Sequence, residues 1–186
     1  MKKKKIIFFE LNEVPANIFE KSFEYLSYKS KLKDFNYLPT IARDYKHLSP
    51  WTTWSTVHRG VTFSDHQIGD LGQDLTEVNK KYPPIWVTLQ ERGLNVGVFG
   101  SLHSSQLPPE SYNKYSFYIP DVFSIHNKCY PSSFRSLQSL NLFLSRKSAR
   151  VVTNVLPSPS LFLKSVYSYF STSFSIQTLL KIFLQL

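Results

Sequence analysis

SPWTTWSTVHRGVTFSDHQIGDLG, residues 49–72, sets polar chemistry beside aromatic anchors more closely than any other stretch of the chain. Ser49 is a good helix N-cap, and Pro50 suits the first helical position. The pattern predicts a short helix over 51–59, stopped by Gly60 in the left-handed conformation. Hydroxyls then fall in the first turn, where free backbone N–H groups and the helix dipole favour an anion. A Thr placed there could act on a phosphate or a sulfate. Taken alone, Thr52, Thr53, Ser55 and Thr56 read as capping and surface hydroxyls.

Towards the N-terminus, KIIFFEL (5–11) is β-branched and aromatic on both faces, as in a strand buried within a parallel sheet. Glu10, Asn12 and Glu13 gather at its carboxyl end, where open α/β sheets bind ligands. They are candidate ligands for a hard or borderline cation, or caps for the next helix. Residues 14–26 predict an amphipathic helix facing inward with Ile18, Phe19, Phe23 and Leu26. A lysine-rich connection (27–37) and a short helix (38–45) lead to the central stretch.

Towards the C-terminus, 61–72 reads as a loop, with His66 either a ligand or a hydrogen-bonding staple and Asp65, Asp70 and Asp74 as turn residues. Residues 83–92 predict a helix ended by Gly93, and 95–100 the next buried strand. Parallel strands would put Ser101, His103 and Ser104 on the same edge as Glu10. Residues 115–120 suit a short edge strand followed by Asp121, and His126 reads as a surface histidine. From 130 onward Ser, Leu and Phe dominate, with Leu137, Leu140 and Leu144 on one helix face. A break falls at Pro157 and Pro159, and 160–186 then reads as one or two helices in which Lys164 and Lys181 are the only charges. The pattern stops at FLQL without a cap, as in the first part of a longer protein or a truncated copy. The fold class expected is α/β: a mostly parallel sheet flanked by helices over 1–128, with a helical C-terminal segment over 129–186.

A chain of 186 residues with 42% hydrophobic content can bury one core. Its net charge of +9 is concentrated in Lys2–Lys5 and in the 21–33 region, which reads as a solvated surface weakly attractive to anions. No basic stripe with interleaved aromatics is present, so nucleic acid is not expected as a partner. The single cysteine, Cys129, excludes an intrachain disulfide and a cysteine-based zinc site, and points to a cytoplasmic protein. The apolar run after Lys5 is too short for a signal peptide, and no stretch of about 18 apolar residues predicts a membrane span.

These motifs fall in a recognisable order: IIFFELNEV, LPTIARDY, SPWTTWSTVHRG, FSDHQIGDLG and IWVTLQERGLNVGVFGS. The order resembles the N-terminal half of the alkaline phosphatase superfamily, nearest its type I phosphodiesterase/nucleotide pyrophosphatase-like branch, over roughly residues 4–121. The resemblance implies a divalent metal, zinc, at the strand-end acids Glu10 and Asn12. It implies a Thr nucleophile at the helix start, Thr53 first and Thr52 next, with Ser49 a further candidate. It also implies a loop histidine, His66 in His66-Gln67-Ile68, that positions the loop or faces the substrate. The family's strand-end Asp stands here as Asn12, and its nucleophile position as Pro50, with Thr53 about one turn further on. Its remaining ligands come from the second half of a longer chain, whereas no Asp or Glu follows Asp121 here.

Two readings follow. One is a metal-dependent phosphohydrolase or phosphodiesterase-like domain, an incomplete copy acting on a phosphate- or sulfate-ester. The other is a non-catalytic α/β binding module that keeps the fold without the metal site. In either, the apolar helices of 160–186 are expected to pack on the missing C-terminal half of the protein rather than on a membrane.

Overall fold

The computed structural model describes residues 5–12, 14–25, 49–148 and 157–171. They fall into two compact units, Met1–Pro50 and Trp51–Leu186.

In the first unit, helix α1 (Ala16–Tyr25) starts where the Pro15 carbonyl accepts the amides of Ile18 and Phe19 at 3.0 and 3.1 Å. Phe19 and Phe23, one turn apart, pair their rings at 4.8 Å. The predicted helix over 14–26 is thus present, two residues shorter at its start, and Leu26 lies outside the described residues. The predicted strand over 5–11 is not: these residues have no regular structure, and Ile6 and Ile7 are 90% and 84% exposed. A strand buried on both faces needs a paired edge and cover above and below. Among the described residues the unit offers only α1, none of whose residues is buried. The connection over 27–37 and the helix over 38–45 lie outside the described residues.

The second unit opens with helix α2 (Pro50–Arg59), as the N-cap and Gly signals require. Gly60 closes it at φ +67°, its amide bonded to the Thr56 carbonyl at 2.8 Å. Where a loop was predicted, the four-residue helix α3 (Phe63–His66) forms. Its signal is Thr62-x-x-Asp65: the Asp65 carboxylate accepts the Thr62 amide at 3.1 Å and hydroxyl at 2.6 Å. Helix α4 (Thr76–Lys81) also lies outside the predicted elements, and the Asp74 side chain caps it by accepting the Thr76 amide at 2.9 Å. Helix α5 (Ile85–Glu91) follows, with Gly93 at φ +76° beyond its end.

Strand β1 (Gly97–Phe99) pairs in parallel with β2 (Phe117–Ile119), Val98 opposite Tyr118. Tyr118 also exchanges backbone hydrogen bonds with Tyr130, at 2.6 and 2.8 Å. The core joins Trp86 of α5 to Val98, Tyr112, Tyr115 and Tyr118. The Tyr112 and Tyr118 rings stack at 4.2 Å, and the buried Tyr118 hydroxyl donates to the Ser104 carbonyl at 2.7 Å. The fold is therefore broadly α/β, but the expected mostly parallel sheet is, among the described residues, a two-strand parallel pair. Leu94 and Phe99 are exposed, so the strand predicted over 95–100 is buried on one face only and shrinks to three residues.

Helix α6 (Arg135–Ser148) buries Leu137, Gln138 and Leu142, whereas Leu144 is half exposed. The predicted Leu137, Leu140, Leu144 face is rotated because the Gln138 amide reaches inward to the carbonyls of Pro120 and Asp121, both at 3.2 Å. Helix α7 (Pro159–Ser171) packs on α6, its Ser165 hydroxyl donating to the Ser136 carbonyl at 2.8 Å. Residues 172–186 lie outside the described residues. No helix among the described residues is long and apolar enough to cross a membrane.

Candidate functional site

Helix α2 is amphipathic in an unusual sense: its buried residues are Thr52, Ser55 and His58, all polar. They recur at every third position, so one face carries hydroxyls and an imidazole into the unit. Trp51 and Trp54 flank that face, half-buried. The Trp51 ring meets Phe123 and His103 edge-on, at 5.1 and 6.2 Å between centroids. His58 sits between the rings of Trp54 and Trp86, at 5.8 and 4.9 Å.

A closed hydrogen-bond circuit ties α2 to the following loop. The buried Thr52 hydroxyl donates to the Ile68 carbonyl at 3.1 Å. The Ile68 amide donates to His66 Nδ1 at 2.9 Å. Nδ1 therefore carries no proton, and Nε2 does. His66 Nε2 then donates to the Thr56 hydroxyl at 2.9 Å, and that hydroxyl donates to the Thr52 carbonyl at 3.1 Å. His66 is fully buried, with Phe63 edge-on to its ring at 5.7 Å. Burial lowers its pKa, the Arg59 charge lowers it further, Asp65 opposes, and His103 acts with Arg59. Gln73 fastens the rest of the loop: its carbonyl oxygen accepts the Gly69 amide at 3.1 Å, and its amide donates to the Gln67 carbonyl at 2.8 Å.

Arg59, at the end of α2, is half-buried. Its guanidinium donates to the Tyr82 carbonyl and, at 2.9 Å, to Asn79 Oδ1. Burial brings its pKa down to about 10. No carboxylate pairs with it among the described residues.

The segments beyond the carboxyl ends of β1 and β2 meet α2 through His103 and Phe123. The chain leaving β1 passes Gly100 at φ +67° and then His103 at φ +65°, an uncommon conformation for a residue with a side chain. His103 is buried and lies edge-on to the Trp51 ring. Burial lowers its pKa, with the Trp51 backbone and Asp121 acting the other way and Arg59 and His58 adding to the fall. Asp121, just past β2, is buried and held by the amides of Ser105 and Phe123, both at 2.9 Å. Its own amide donates to the Ser104 hydroxyl at 2.9 Å.

Of the residues predicted for the site, Thr52 and His66 come together in the circuit through Thr56 and Ile68. Thr53 is exposed on the outer side of α2. Glu10, half-buried, and Asn12, exposed, belong to the first unit. A catalytic zinc takes three protein ligands. Among the described residues no group of three or more His, Cys, Asp or Glu is arranged to hold a metal, so the donor set for the expected zinc is not found there. Sequence reasoning missed Thr56 as the link to His66, and the burial of Ser55 and His103. The spacing of Thr52 and Thr56, one turn apart on one helix, was the available signal for the first. Nothing in the sequence marks the second.

No protein-family model matches the chain, and neither a curated protein nor a solved structure shows significant similarity to it.

Proposed function

We propose that the chain is a non-catalytic α/β module that binds a phosphate- or sulfate-ester. One observation carries this reading: two of the side chains that the motif order assigns to chemistry, Thr52 and His66, are spent on architecture. Thr52 gives its hydroxyl to a carbonyl, and both nitrogens of His66 are committed to holding the loop. A nucleophile and a substrate contact need those same atoms available in the bound state. The half-buried Arg59 cation and the basic surface supply attraction for an anion. The single cysteine, Cys129, is free, in keeping with a cytoplasmic setting.

Thr53 favours a second reading. It projects from the first turns of α2 and is exposed, as an attacking hydroxyl must be. On that reading the chain is a zinc-dependent phosphoric ester hydrolase with Thr53 as nucleophile. The two readings part on hydrolysis of p-nitrophenyl phosphate and bis-p-nitrophenyl phosphate, measured with metal content for wild type and Thr53→Ala. The binding reading expects no turnover by either protein, with the thermal midpoint rising in phenyl phosphate or phenyl sulfate. Zinc-dependent turnover that vanishes in Thr53→Ala would overturn it.

A further inference from the structure

Ser139, Leu142, Phe143 and Arg146 recur along α6 at i, i+3, i+4 and i+7, so the four share one face. That face lines an open groove of about 490 Å³. Leu161 of α7 and the loop residues Ile125, His126 and Asn127 complete the lining. Bonds within the chain already hold these parts in place. The Ser165 hydroxyl ties α7 to the Ser136 carbonyl of α6 at 2.8 Å. Three bonds tie the loop to α6. The Ser145 hydroxyl donates to the Val122 carbonyl at 2.9 Å, and Arg146 Nη2 donates to the Ser124 carbonyl at 3.3 Å. The Asn127 amide donates to the Ser139 hydroxyl at 2.8 Å. The groove is therefore preformed, and its volume falls within the roughly 300–1,000 Å³ of small-molecule sites.

Its lining offers an apolar bed and one strong charge. Leu142 is buried, Phe143 and Leu161 are half-buried, and Ile125 is 91% exposed. An isoleucine left in water at an apolar groove gains from any ligand that covers it. Asn127 and Ser139 are bonded to each other. Arg146 makes one hydrogen bond, through Nη2, and no ion pair among the described residues. No Asp or Glu follows Asp121 in the sequence, so neither the loop nor α6 nor α7 brings a carboxylate to neutralise the guanidinium or to repel an anion. Asp121 itself is buried and held by the amides of Ser105 and Phe123. A guanidinium with free N–H groups suits the oxygens of a phosphate or sulfate. We infer that this groove takes a phosphate- or sulfate-ester whose alcohol part is apolar, with the oxyanion on Arg146 and the body against Ile125, Leu142, Phe143 and Leu161. The inference rests on the reading of the chain as an ester-binding module, and names its pocket and the class of ester. Esters of sugars and other polyols are disfavoured, because their hydroxyls would lose water against the apolar lining.

The test titrates phenyl phosphate and phenyl sulfate into the full chain at fixed ionic strength, beside glycerol phosphate as the polyol ester and inorganic phosphate as the bare anion. It compares wild type, Arg146→Ala, Ile125→Asp and the exposed-cation control Lys80→Ala. Affinity is read by calorimetry, and the Ile125 methyl groups are followed by their resonances. Wild type is expected to bind the phenyl esters at least tenfold more tightly than glycerol phosphate or inorganic phosphate, with movement of the Ile125 resonances. Arg146→Ala and Ile125→Asp should each lose at least tenfold in affinity, and Lys80→Ala none. The Ile125 side chain stands in solvent, so Ile125→Asp is expected to keep the thermal midpoint and keeps the test decisive if Arg146→Ala unfolds. Phenyl ester binding that is retained in either groove variant would overturn this site while leaving the binding reading intact. Glycerol phosphate bound as tightly as phenyl phosphate would overturn the apolar class of ester. No binding of either phenyl ester by wild type at millimolar concentration would overturn the site and the binding reading together.

Discussion

Replacing Thr56 by Val isolates the circuit that holds the loop after α2. The substitution nearly keeps the side chain's shape and its helix propensity, and removes one hydroxyl. That hydroxyl accepts from His66 Nε2 at 2.9 Å and donates to the Thr52 carbonyl at 3.1 Å. The Thr52 carbonyl keeps its place in the helical ladder, so little is lost there. His66 is different: it is fully buried, and its Nε2–H would be left with no acceptor. An orphaned buried donor costs about 1–3 kcal/mol, which sets the expected destabilisation. Urea unfolding followed by the fluorescence of Trp51 and Trp54, both on α2, should show the midpoint fall with no change in slope. In a His66→Ala background the orphan no longer exists, and Thr56→Val should cost little more. A loss below about 0.5 kcal/mol in the wild-type background, or an equal loss in both, would refute the circuit as a support of the loop.

Acid should act on the same link. His66 Nδ1 must stay unprotonated to accept the Ile68 amide, and the folded pKa lies below the ordinary value of 6.5. The unfolded chain then takes up the proton first, so stability is full above pH 6.5 and falls as pH drops below it, with His103 adding in the same direction. Urea midpoints at pH 7.5 and 5.5 check this, and a flat profile would count against a buried neutral His66. Asp121→Ala should cost about 2–4 kcal/mol, because the Ser105 and Phe123 amides lose their acceptor, whereas Asp121→Asn keeps an oxygen and should cost less. Equal thermal midpoints for the two variants would show that the carboxylate does not organise the strand-end loops.

What was legible in the sequence was set by local chemistry. Pro50, Gly60 and Gly93 act within a turn of themselves, and α2 and α5 end where those residues require. The order of β1, a polar connection and β2 before Asp121 was also readable, because short apolar runs between polar loops leave few alternatives. What failed depended on distant partners. KIIFFEL has the composition of a buried strand, yet composition cannot supply the neighbouring strands that burial demands. Gln138 turned α6 because two carbonyls beyond β2 needed a donor, a demand set by the distant end of that strand. At the site, the motif order singled out Thr52 and His66, which the fold does join, but joins through Thr56, a residue that earned no separate mention.

The polar face of α2 resolves into two sets of residues with different fates. A helix whose fully buried residues are Thr52, Ser55 and His58 is positioned by directed bonds as well as by the half-buried rings of Trp51 and Trp54. Thr52 and Thr56 supply the bonds, closing onto Ile68 and His66. Arg59 adds two more, to Tyr82 and Asn79. Ser55 Oγ and Arg59 Nε, in contrast, make no hydrogen bond among the described residues. Two small substitutions on one helix therefore part: Thr56→Val should lower the urea midpoint, and Ser55→Ala, which removes a hydroxyl that holds nothing in place, should leave it unchanged or raise it.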